Sequence, residues 1–257
     1  MLALHNVSRS YRGIPAIEDI SFRVGAGEVV GYLGPNGSGK STTVKIITGM
    51  LQPNDGQVLF QGKNIRDNLV DFRAALGYVP EEAHVYTYLS GLEYLQLVGR
   101  LRGMNERLIT AKATILLQLL SLQSWRHSPI SSYSKGMKQR VLIAAALIHN
   151  PKLLIFDEPL SGLDVISARL FKDLLQELAA QGKAILYISH VLEVVELVCS
   201  RVIVLANGKI VADAPPAELV QQMQAGNLEK VFAQLVQQQD TKSVARELVA
   251  TLQRSHA

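Results

Sequence analysis

Continuous apolar runs alternate with stretches of helical periodicity over much of the chain. The runs at 28–33, 153–156 and 184–188 are short enough for strands and apolar enough to be buried on both faces. Between the last two runs, apolar residues over 168–180 recur at helical spacing, which predicts a helix. Strands that alternate with helices in this way predict an α/β fold with a parallel sheet.

Other patterns indicate what surrounds this sheet. Asn207-Gly208 lies between apolar runs and predicts a hairpin. From about 89 to 148 the pattern is helical with no convincing strand, and 105–122 predicts one amphipathic helix. Near the amino terminus apolar and polar residues alternate, which predicts a small antiparallel β-layer whose apolar positions are Leu2, Leu4, Val7, Ile17, Ile20, Phe22 and Val24.

These patterns predict the organisation of the chain into domains. One domain covers 1–225, with a helical subdomain inserted at about 83–150, and a C-terminal helical tail covers 226–257. The tail follows Pro215-Pro216 and is rich in glutamine. Packing on its own domain, on a second copy or on a regulator all remain open for the tail.

Composition narrows the class of protein. Hydrophobic residues make up 48% of the 257 residues and charged residues 19%, an ordinary globular balance. The single cysteine, Cys199, excludes an internal disulfide and fits a reducing compartment. No apolar stretch approaches the roughly 18 residues of a membrane span, and no signal peptide is recognisable, so we expect a cytoplasmic protein. The net charge of +4 is scattered, which favours a solvated surface over a nucleic-acid interface.

Residues 34–41 match the phosphate-binding pattern G-x-x-x-x-G-K-[ST] at every fixed position. Glycines let backbone N–H groups approach phosphate oxygens, and the helix that follows directs its positive dipole end at the anion. Lys40 adds a cation for the terminal phosphates, and the Ser41 hydroxyl is a candidate Mg²⁺ ligand. A glycine-rich turn with a chance lysine is the alternative, but it does not require the strand before the motif and the helix after it. We therefore predict ATP binding by Gly34, Pro35, Asn36, Gly37, Ser38, Gly39, Lys40, Ser41 and Thr42.

Two adjacent acids, Asp157 and Glu158, follow the apolar run 153–156. Asp157 leaves its strand at the carboxyl end, where α/β sheets bind ligands, and is a candidate Mg²⁺ ligand. Glu158 is a candidate base that polarises a water for attack on the γ-phosphate. His190 follows the run 184–188 and is a candidate to contact the γ-phosphate or to orient that water. The alternatives are two solvated acids in a loop and a structural histidine.

Together these motifs resemble the nucleotide-binding subunit of an ATP-binding-cassette (ABC) transporter over about residues 1–220. Residues 34–41 resemble the Walker A motif, and 153–158 resemble the Walker B motif with its catalytic glutamate. Residues 161–164, Ser-Gly-Leu-Asp, resemble the D-loop, which ends at Asp164. His190 resembles the switch histidine. The resemblance implies a P-loop NTPase core that carries the antiparallel β-layer and the inserted α-helical subdomain.

Residues 133–137, Tyr-Ser-Lys-Gly-Met, stand where the family signature Leu-Ser-Gly-Gly-Gln belongs. Ser134 and Gly136 match the signature, and the other three residues depart from it in a form that resembles the export-type branch. The resemblance implies that Ser134 and Gly136 meet the γ-phosphate bound by an opposite subunit. Taken alone, a serine at a helix start is more simply a helix cap.

Two further positions match the family less closely. Tyr11 resembles the aromatic residue that stacks on adenine, although an aromatic in a β-layer is commonly part of the core. Glu81 occupies the Q-loop position, where the family usually has a glutamine that contacts Mg²⁺ or the attacking water. A carboxylate also ligates Mg²⁺ but adds negative charge beside the γ-phosphate. Glu82 is adjacent and equally eligible from sequence, and Glu81 as a loop acid facing water is the alternative.

The resemblance implies a subunit that binds and hydrolyses ATP with Mg²⁺ to energise a separate transmembrane permease for export. Its partners would be that permease and a second, identical subunit, with no nucleic acid, at the cytoplasmic face of the cell membrane. A soluble ABC ATPase acting on nucleic acid or ribosomes is the alternative, but such proteins usually carry coiled-coil or zinc insertions or two cassettes. A kinase or a GTPase is a third possibility, and the sequence has no Asn-Lys-x-Asp guanine motif.

Overall fold

A computed structural model of the chain describes residues 1–82, 84–236, 246, 249 and 251. Over those residues the chain forms two β-sheets surrounded by α-helices, so the predicted α/β class is confirmed. The helices that the structure describes include none that combines the length and the apolar character needed to cross a bilayer.

The smaller sheet is antiparallel and contains the first two strands. Its strand order is β2-β1-β4-β5. The apolar positions of the first two strands are buried, as their alternation predicts. The pattern does not predict β4, whose first half, Asp-Gly-Gln, is polar and exposed. The strands are β1 (Leu2–Tyr11), β2 (Ile14–Val24), β4 (Asp55–Phe60) and β5 (Lys63–Asn64).

The larger, mixed sheet has six strands in the order β10-β9-β3-β8-β7-β6. They are β3 (Val29–Leu33), β6 (Leu76–Val79), β7 (Leu153–Asp157), β8 (Ala184–Ile188), β9 (Arg201–Ala206) and β10 (Lys209–Ala214). All pair in parallel except β10, which forms the predicted hairpin with β9. Every residue of β3, β7 and β8 is buried, which explains why continuous apolar runs predict these strands to within one residue at each end.

Helices cover the sheets. Those outside the predicted insert are α1 (Lys40–Ile47), α2 (Leu69–Ala74), α6 (Val165–Ala180), α7 (Leu192–Val198), α8 (Pro216–Gln222) and α9 (Leu228–Val236). α6 begins three residues before the predicted start at 168, because Asp164 caps it and its Oδ1 accepts a hydrogen bond from the Ser167 N–H at 2.8 Å. The helical pattern does not predict α2 and α7, which have only six and seven residues.

The region between β6 and β7 is helical, as its pattern predicts. It contains α3 (Gly91–Leu101), α4 (Glu106–Leu119) and α5 (Lys135–Leu147), with 3-10 turns at Gln123–Trp125 and Ile130–Ser132. α5 is buried on opposite sides. Val141 and Ala144 pack with Leu95 in the helical region, whereas Leu142 and Ile143 pack against the mixed sheet. This one helix therefore joins the inserted helices to the sheet.

α9 lies within the predicted tail and packs on the core of its own chain. Leu228 and Val231 are fully buried in the cluster that covers the mixed sheet. The tail therefore packs on its own domain as far as Val236. The helix predicted beyond that point lies outside the described residues, apart from 246, 249 and 251. The domain boundary at 225 and the subdomain limits of 83–150 stay predictions.

Arg201 ties the two sheets together. Its Nε donates to Glu28 Oε1 at 2.7 Å, its Nη1 donates to Asp213 Oδ1 at 2.5 Å, and its Nη2 donates to the Arg23 carbonyl oxygen. Arg23 belongs to β2 of the antiparallel sheet, whereas Glu28 precedes β3 and Asp213 lies on β10. The arginine side chain is only 20% exposed. Its removal would leave two partly buried carboxylates without their cation.

Arg201→Met keeps an apolar stem and removes these hydrogen bonds, so we expect the free energy of unfolding to fall by about 2 kcal/mol. Urea unfolding followed by circular dichroism measures the change. The matched control is Arg100→Met, because Arg100 pairs with Glu106 at 2.6 Å on an exposed surface, where ion pairs contribute little. The control should keep the wild-type unfolding midpoint, and equal losses in the two variants would contradict the role assigned to Arg201.

Candidate functional site

The phosphate-binding loop, residues 34–41, leads from β3 into α1 at the carboxyl edge of the mixed sheet. Glycine is required where the loop enters the helix. Gly39 has φ = +109°, and a Cβ at this position would overlap the Ile17 side chain and crowd the Ala16 carbonyl oxygen. Ala16 and Ile17 belong to β2. One side of the loop therefore lies directly against the antiparallel sheet.

The other side of the loop lies against the end of β9. A Cβ on Gly34 would meet the Leu205 carbonyl oxygen at 2.5 Å, closer than any real contact. The hairpin turn that follows β9 also bonds to the loop, because the Gly208 N–H donates to the Ser38 carbonyl oxygen at 3.1 Å. The Gly208 carbonyl oxygen in turn accepts from the Glu18 N–H on β2 at 2.8 Å. The loop is thus held where the two sheets meet.

Lys40, the first residue of α1, turns its ammonium back over the loop. Its Nζ donates to the Gly34 carbonyl oxygen at 2.6 Å and to the Pro35 carbonyl oxygen at 3.0 Å. Burial lowers the pKa of Lys40, and the attraction of three nearby carboxylates opposes that change. The ammonium lines the cleft that opens beside the loop.

That cleft has a volume of about 610 Å³, within the range of sites for small molecules. Predicted residues from separate parts of the sequence line it. From the loop and α1 they are Gly34, Asn36, Gly37, Gly39, Lys40, Ser41 and Thr42, and from the strand ends and the residues after them they are Glu81, Asp157, Glu158 and His190. Pro35 and Ser38 belong to the same loop without lining the cleft. Ala16 and Ser189 also line it, although neither residue belongs to a sequence motif.

Asp157 ends β7 and is 8% exposed. Burial, followed by the charges of Glu81 and Glu158, raises the pKa of Asp157 to about 6, whereas the Lys40 ammonium opposes the rise. Three carboxylates therefore share the surroundings of one ammonium. This charge balance favours the binding of a cation.

Glu158 follows directly and adopts φ = +49°, a conformation that non-glycine residues seldom adopt. Its N–H donates to the Ile188 carbonyl oxygen at 2.9 Å, which fixes the turn to the end of β8. Glu158 Oε2 lies 2.8 Å from His190 Nδ1 and accepts a hydrogen bond from Ser189 Oγ at 3.3 Å. Two consecutive side chains thus orient the carboxylate. The sequence signal for Ser189 is only a hydroxyl beside a strand-end histidine.

The structure distinguishes the surroundings of the Glu81 side chain from those of the Glu82 side chain, which the sequence alone does not. β6 and β7 pair in parallel with Val79 opposite Phe156, so the chain beyond β6 reaches the same edge of the sheet as the acids that end β7. Glu81 lines the cleft there. Glu82 instead directs Oε2 to His84 Nε2 at 3.3 Å on the exposed surface.

The signature residues and the D-loop aspartate do not line the cleft of their own chain. Ser134 caps α5, because its Oγ accepts a hydrogen bond from the Met137 N–H at 3.2 Å. A Cβ on Gly136 would overlap the Gly162 carbonyl oxygen, so the start of α5 packs closely on the D-loop. Asp164, at the end of that loop, caps α6. The two motifs therefore form one joined surface away from the cleft.

Tyr133, which stands where the family signature has leucine, has a clear structural role. Its hydroxyl donates to the Trp125 carbonyl oxygen at 2.6 Å, and the two rings meet edge to face with centroids 6.4 Å apart. A Cβ on Gly91 would lie 2.7 Å from that hydroxyl, so the start of α3 also packs on Tyr133. The tyrosine thus joins α3 and the 3-10 turn to the start of α5.

Tyr11 ends β1 and is 44% exposed, so its ring is not part of the core. The Arg9 guanidinium lies over the ring, 5.3 Å from its centroid. Tyr11 does not line the cleft. The ring is nevertheless accessible for stacking, which a core position would prevent.

Known proteins of similar sequence are ATP-binding proteins of ABC transporters. A family model described as ABC transporter matches residues 17–161. An uncharacterised ABC transporter ATP-binding protein of Bacillus subtilis (strain 168) is 38% identical over 224 residues, which cover 87% of this chain and 74% of the relative. Nod factor export ATP-binding protein I of Rhizobium leguminosarum bv. viciae is 37% identical over 219 residues, which cover 85% of this chain and 70% of the relative.

Solved structures agree with the fold. An ATP-binding subunit of an ABC transporter superposes with a TM-score of 0.86 at 31% identity, covering 91% of this chain and 99% of that one. A dimeric ATP-binding cassette in a post-hydrolysis state, bound to ADP and phosphate, superposes with a TM-score of 0.78 at 27% identity, covering 84% of this chain and 98% of that one.

Asp157→Asn removes a carboxylate that burial and two neighbouring acids destabilise, so we expect the nucleotide-free protein to gain on the order of 2 kcal/mol of stability above about pH 7. The direction of this change in stability follows from the pKa of Asp157, which is about 6 in the folded state against an ordinary value of 3.8. The folded wild type therefore holds this proton more tightly, and the resulting stability is present below about pH 4 and lost as the pH rises through 6. The advantage of the variant should vanish over the same interval as the pH falls.

Melting temperatures of both proteins across this pH range measure the effect. Asp173→Asn, on an exposed position of α6, is the matched control and should show no pH-dependent difference from the wild type. An Asp157→Asn variant that is less stable than the wild type at every pH would contradict the crowding of charge.

Proposed function

This chain belongs to the ABC transporter family as an ATP-binding subunit with ATPase activity, and we propose that it energises a separate membrane permease for export. The observation that carries the proposal is the one cleft in which the phosphate loop faces Asp157, Glu158 and His190. Export is supported by the similarity to a Nod factor export protein and by the form of residues 133–137. The protein then acts at the cytoplasmic face of the membrane, through its permease.

ATP binding uses groups that the fold already fixes. The backbone N–H groups of residues 34–41 and the positive end of the α1 dipole attract the phosphates. Lys40 exchanges its two carbonyl contacts for oxygens of the β- and γ-phosphates. The exposed ring of Tyr11 stacks on the adenine. Binding requires little reorganisation, because the loop is held between two sheets.

The residues of the cleft fit Mg²⁺. Ser41 and Asp157 supply the hydroxyl and carboxylate oxygens that this ion prefers. Burial, followed by the charges of Glu81 and Glu158, raises the pKa of Asp157, and a bound cation would offset both effects. No group of three or more His, Cys, Asp or Glu side chains forms a metal cage among the described residues. Ser41 and Asp157 would hold the ion together with phosphates and waters, and the ion would neutralise phosphate charge.

Hydrolysis requires a base beside the γ-phosphate. Glu158 accepts a proton from the attacking water as the water oxygen bonds to the γ-phosphorus and the bond to ADP breaks. His190 and Ser189 both contact Oε2 of this carboxylate, so they fix its direction. The products are ADP and phosphate.

A second copy of the chain completes the site. Ser134 and Gly136 open α5 outside the cleft of their own chain, where the N–H groups of the helix start are suited to an anion. The dimeric cassette bound to ADP and phosphate supports an assembly of two subunits. In such a dimer the start of α5 in one copy meets the γ-phosphate held by the other. Asp164 ends the D-loop that packs on Gly136, so its position depends on the start of α5.

Glu158→Gln keeps the shape of the side chain but cannot accept a proton, so ATP binding should survive while turnover falls by about 100-fold or more. Phosphate release and the binding of a fluorescent ATP analogue give the two readouts. Glu177→Gln, on an exposed position of α6, is the matched control and should keep wild-type turnover. If Glu158→Gln retains full turnover, Glu158 is not the base.

The same variant tests the membrane partner, because slow turnover prolongs the ATP-bound complex. Tagged Glu158→Gln protein, extracted with detergent and ATP from the membranes of its own cells, should carry a polytopic membrane protein with it. Ribosomes or nucleic acid in place of a membrane protein would overturn the proposal and support the soluble alternative.

A further inference from the structure

The cleft contains an acid at a position where a neutral amide would serve the family chemistry. Glu81 follows β6, and Glu158 follows the neighbouring strand β7. The two strands pair in parallel with Val79 opposite Phe156. Glu81 and Glu158 each lie two residues beyond this pair, so both reach the same edge of the sheet. Both side chains, together with Asp157, line one cleft.

The neighbouring acid does not share this position. Glu82 is exposed and pairs with His84 at 3.3 Å, outside the cleft. The two glutamates are adjacent in sequence and chemically identical. Only Glu81 therefore adds its charge to the nucleotide site, and Glu82 offers a control with the same side chain.

The charges that line the cleft are unbalanced. Among the described residues that line it, Lys40 is the one lysine or arginine, against the carboxylates of Glu81, Asp157 and Glu158. Among charged neighbours, Glu81 has the largest effect on the pKa of Asp157 and raises it. The triphosphate of ATP is itself strongly anionic. A nucleotide that arrives without a cation meets repulsion from Glu81 that a glutamine would not exert.

We propose that Glu81 makes nucleotide binding at this site depend on a divalent cation, so that the chain binds the Mg²⁺ complex of ATP and discriminates against free ATP. The inference rests on the proposed function and concerns the same cleft. Glu81 disfavours the free nucleotide through charge repulsion. With the cation present the same carboxylate is attracted to it, directly or through a water, and the penalty is offset.

Glu81→Gln tests the proposal, with Glu82→Gln as the matched control. Binding of a fluorescent, non-hydrolysable ATP analogue is measured in excess EDTA and in excess Mg²⁺. In EDTA, Glu81→Gln should bind the analogue about 10-fold more tightly than the wild type, the size expected for removing one like charge at close range. In Mg²⁺ the two should agree within about threefold. Glu82→Gln should keep the wild-type ratio between the two conditions.

Linkage supplies an independent readout. If Glu81 couples nucleotide binding to cation binding, the Glu81→Gln substitution must change the affinity for the cation by the same factor as the affinity for the free nucleotide. Manganese binding to the nucleotide complex, followed by electron paramagnetic resonance, should therefore weaken about 10-fold in Glu81→Gln and stay unchanged in Glu82→Gln. Circular dichroism melting confirms that both variants fold, which the exposed position of both side chains favours.

Two outcomes would overturn the proposal. One is a wild-type ratio of EDTA to Mg²⁺ affinity in Glu81→Gln, and the other is an equal loss of affinity under both conditions. Failure of the proposed function would look different, because the wild type itself would then bind no nucleotide under either condition.

Discussion

The phosphate loop fits between the two sheets only because glycines allow a main chain to pass there. Gly39 lies against β2 and Gly34 against the end of β9, and at both positions a Cβ would crowd a main-chain carbonyl oxygen. The hairpin turn at Gly208 bonds to the loop and to β2 together. Both sheets therefore hold the loop N–H groups in place before the substrate arrives. Fixed dipoles of this kind stabilise developing charge without further reorganisation, which is the main source of electrostatic catalysis.

The acidic and histidine side chains of the cleft come from the ends of parallel strands. β6, β7 and β8 pair side by side, so their carboxyl ends reach the same edge of the sheet. Asp157 ends β7, and Glu81 and His190 follow the ends of β6 and β8, although long stretches of sequence separate the three residues. The apolar burial that makes the strands regular also makes their edge an unfavourable place for charge, and the pKa of Asp157 rises there. A site shaped to bind an ion and a nucleotide commonly lowers the stability of the protein when it is empty.

Sequence patterns predict those parts of the structure in which a single physical requirement dominates. Burial on both faces gives β3, β7 and β8 continuous apolar runs, whereas β4 is half exposed and α2 and α7 have fewer than two turns. Glu81 and Glu82 are chemically identical neighbours, and the sequence does not show which side chain enters the cleft. In the structure Glu82 contacts His84, whereas Glu81 lines the cleft. Ser189 has no pattern of its own. Ser134 caps α5 and does not line the cleft of its own chain, so a single chain shows the helix cap and gives no test of the contact proposed with a second copy.

We propose that each nucleotide lies between the phosphate loop of one copy and the signature residues of another. The test mixes two variants, Ser134→Arg and Lys40→Ala, each of which also carries Glu158→Gln. The measurement is the amount of radiolabelled ATP trapped per dimer. Only the heterodimer unites one intact loop with one intact signature. The mixture should therefore trap about one ATP per heterodimer, while neither variant alone traps any. A mixture that traps no more ATP than the separate variants would contradict the account.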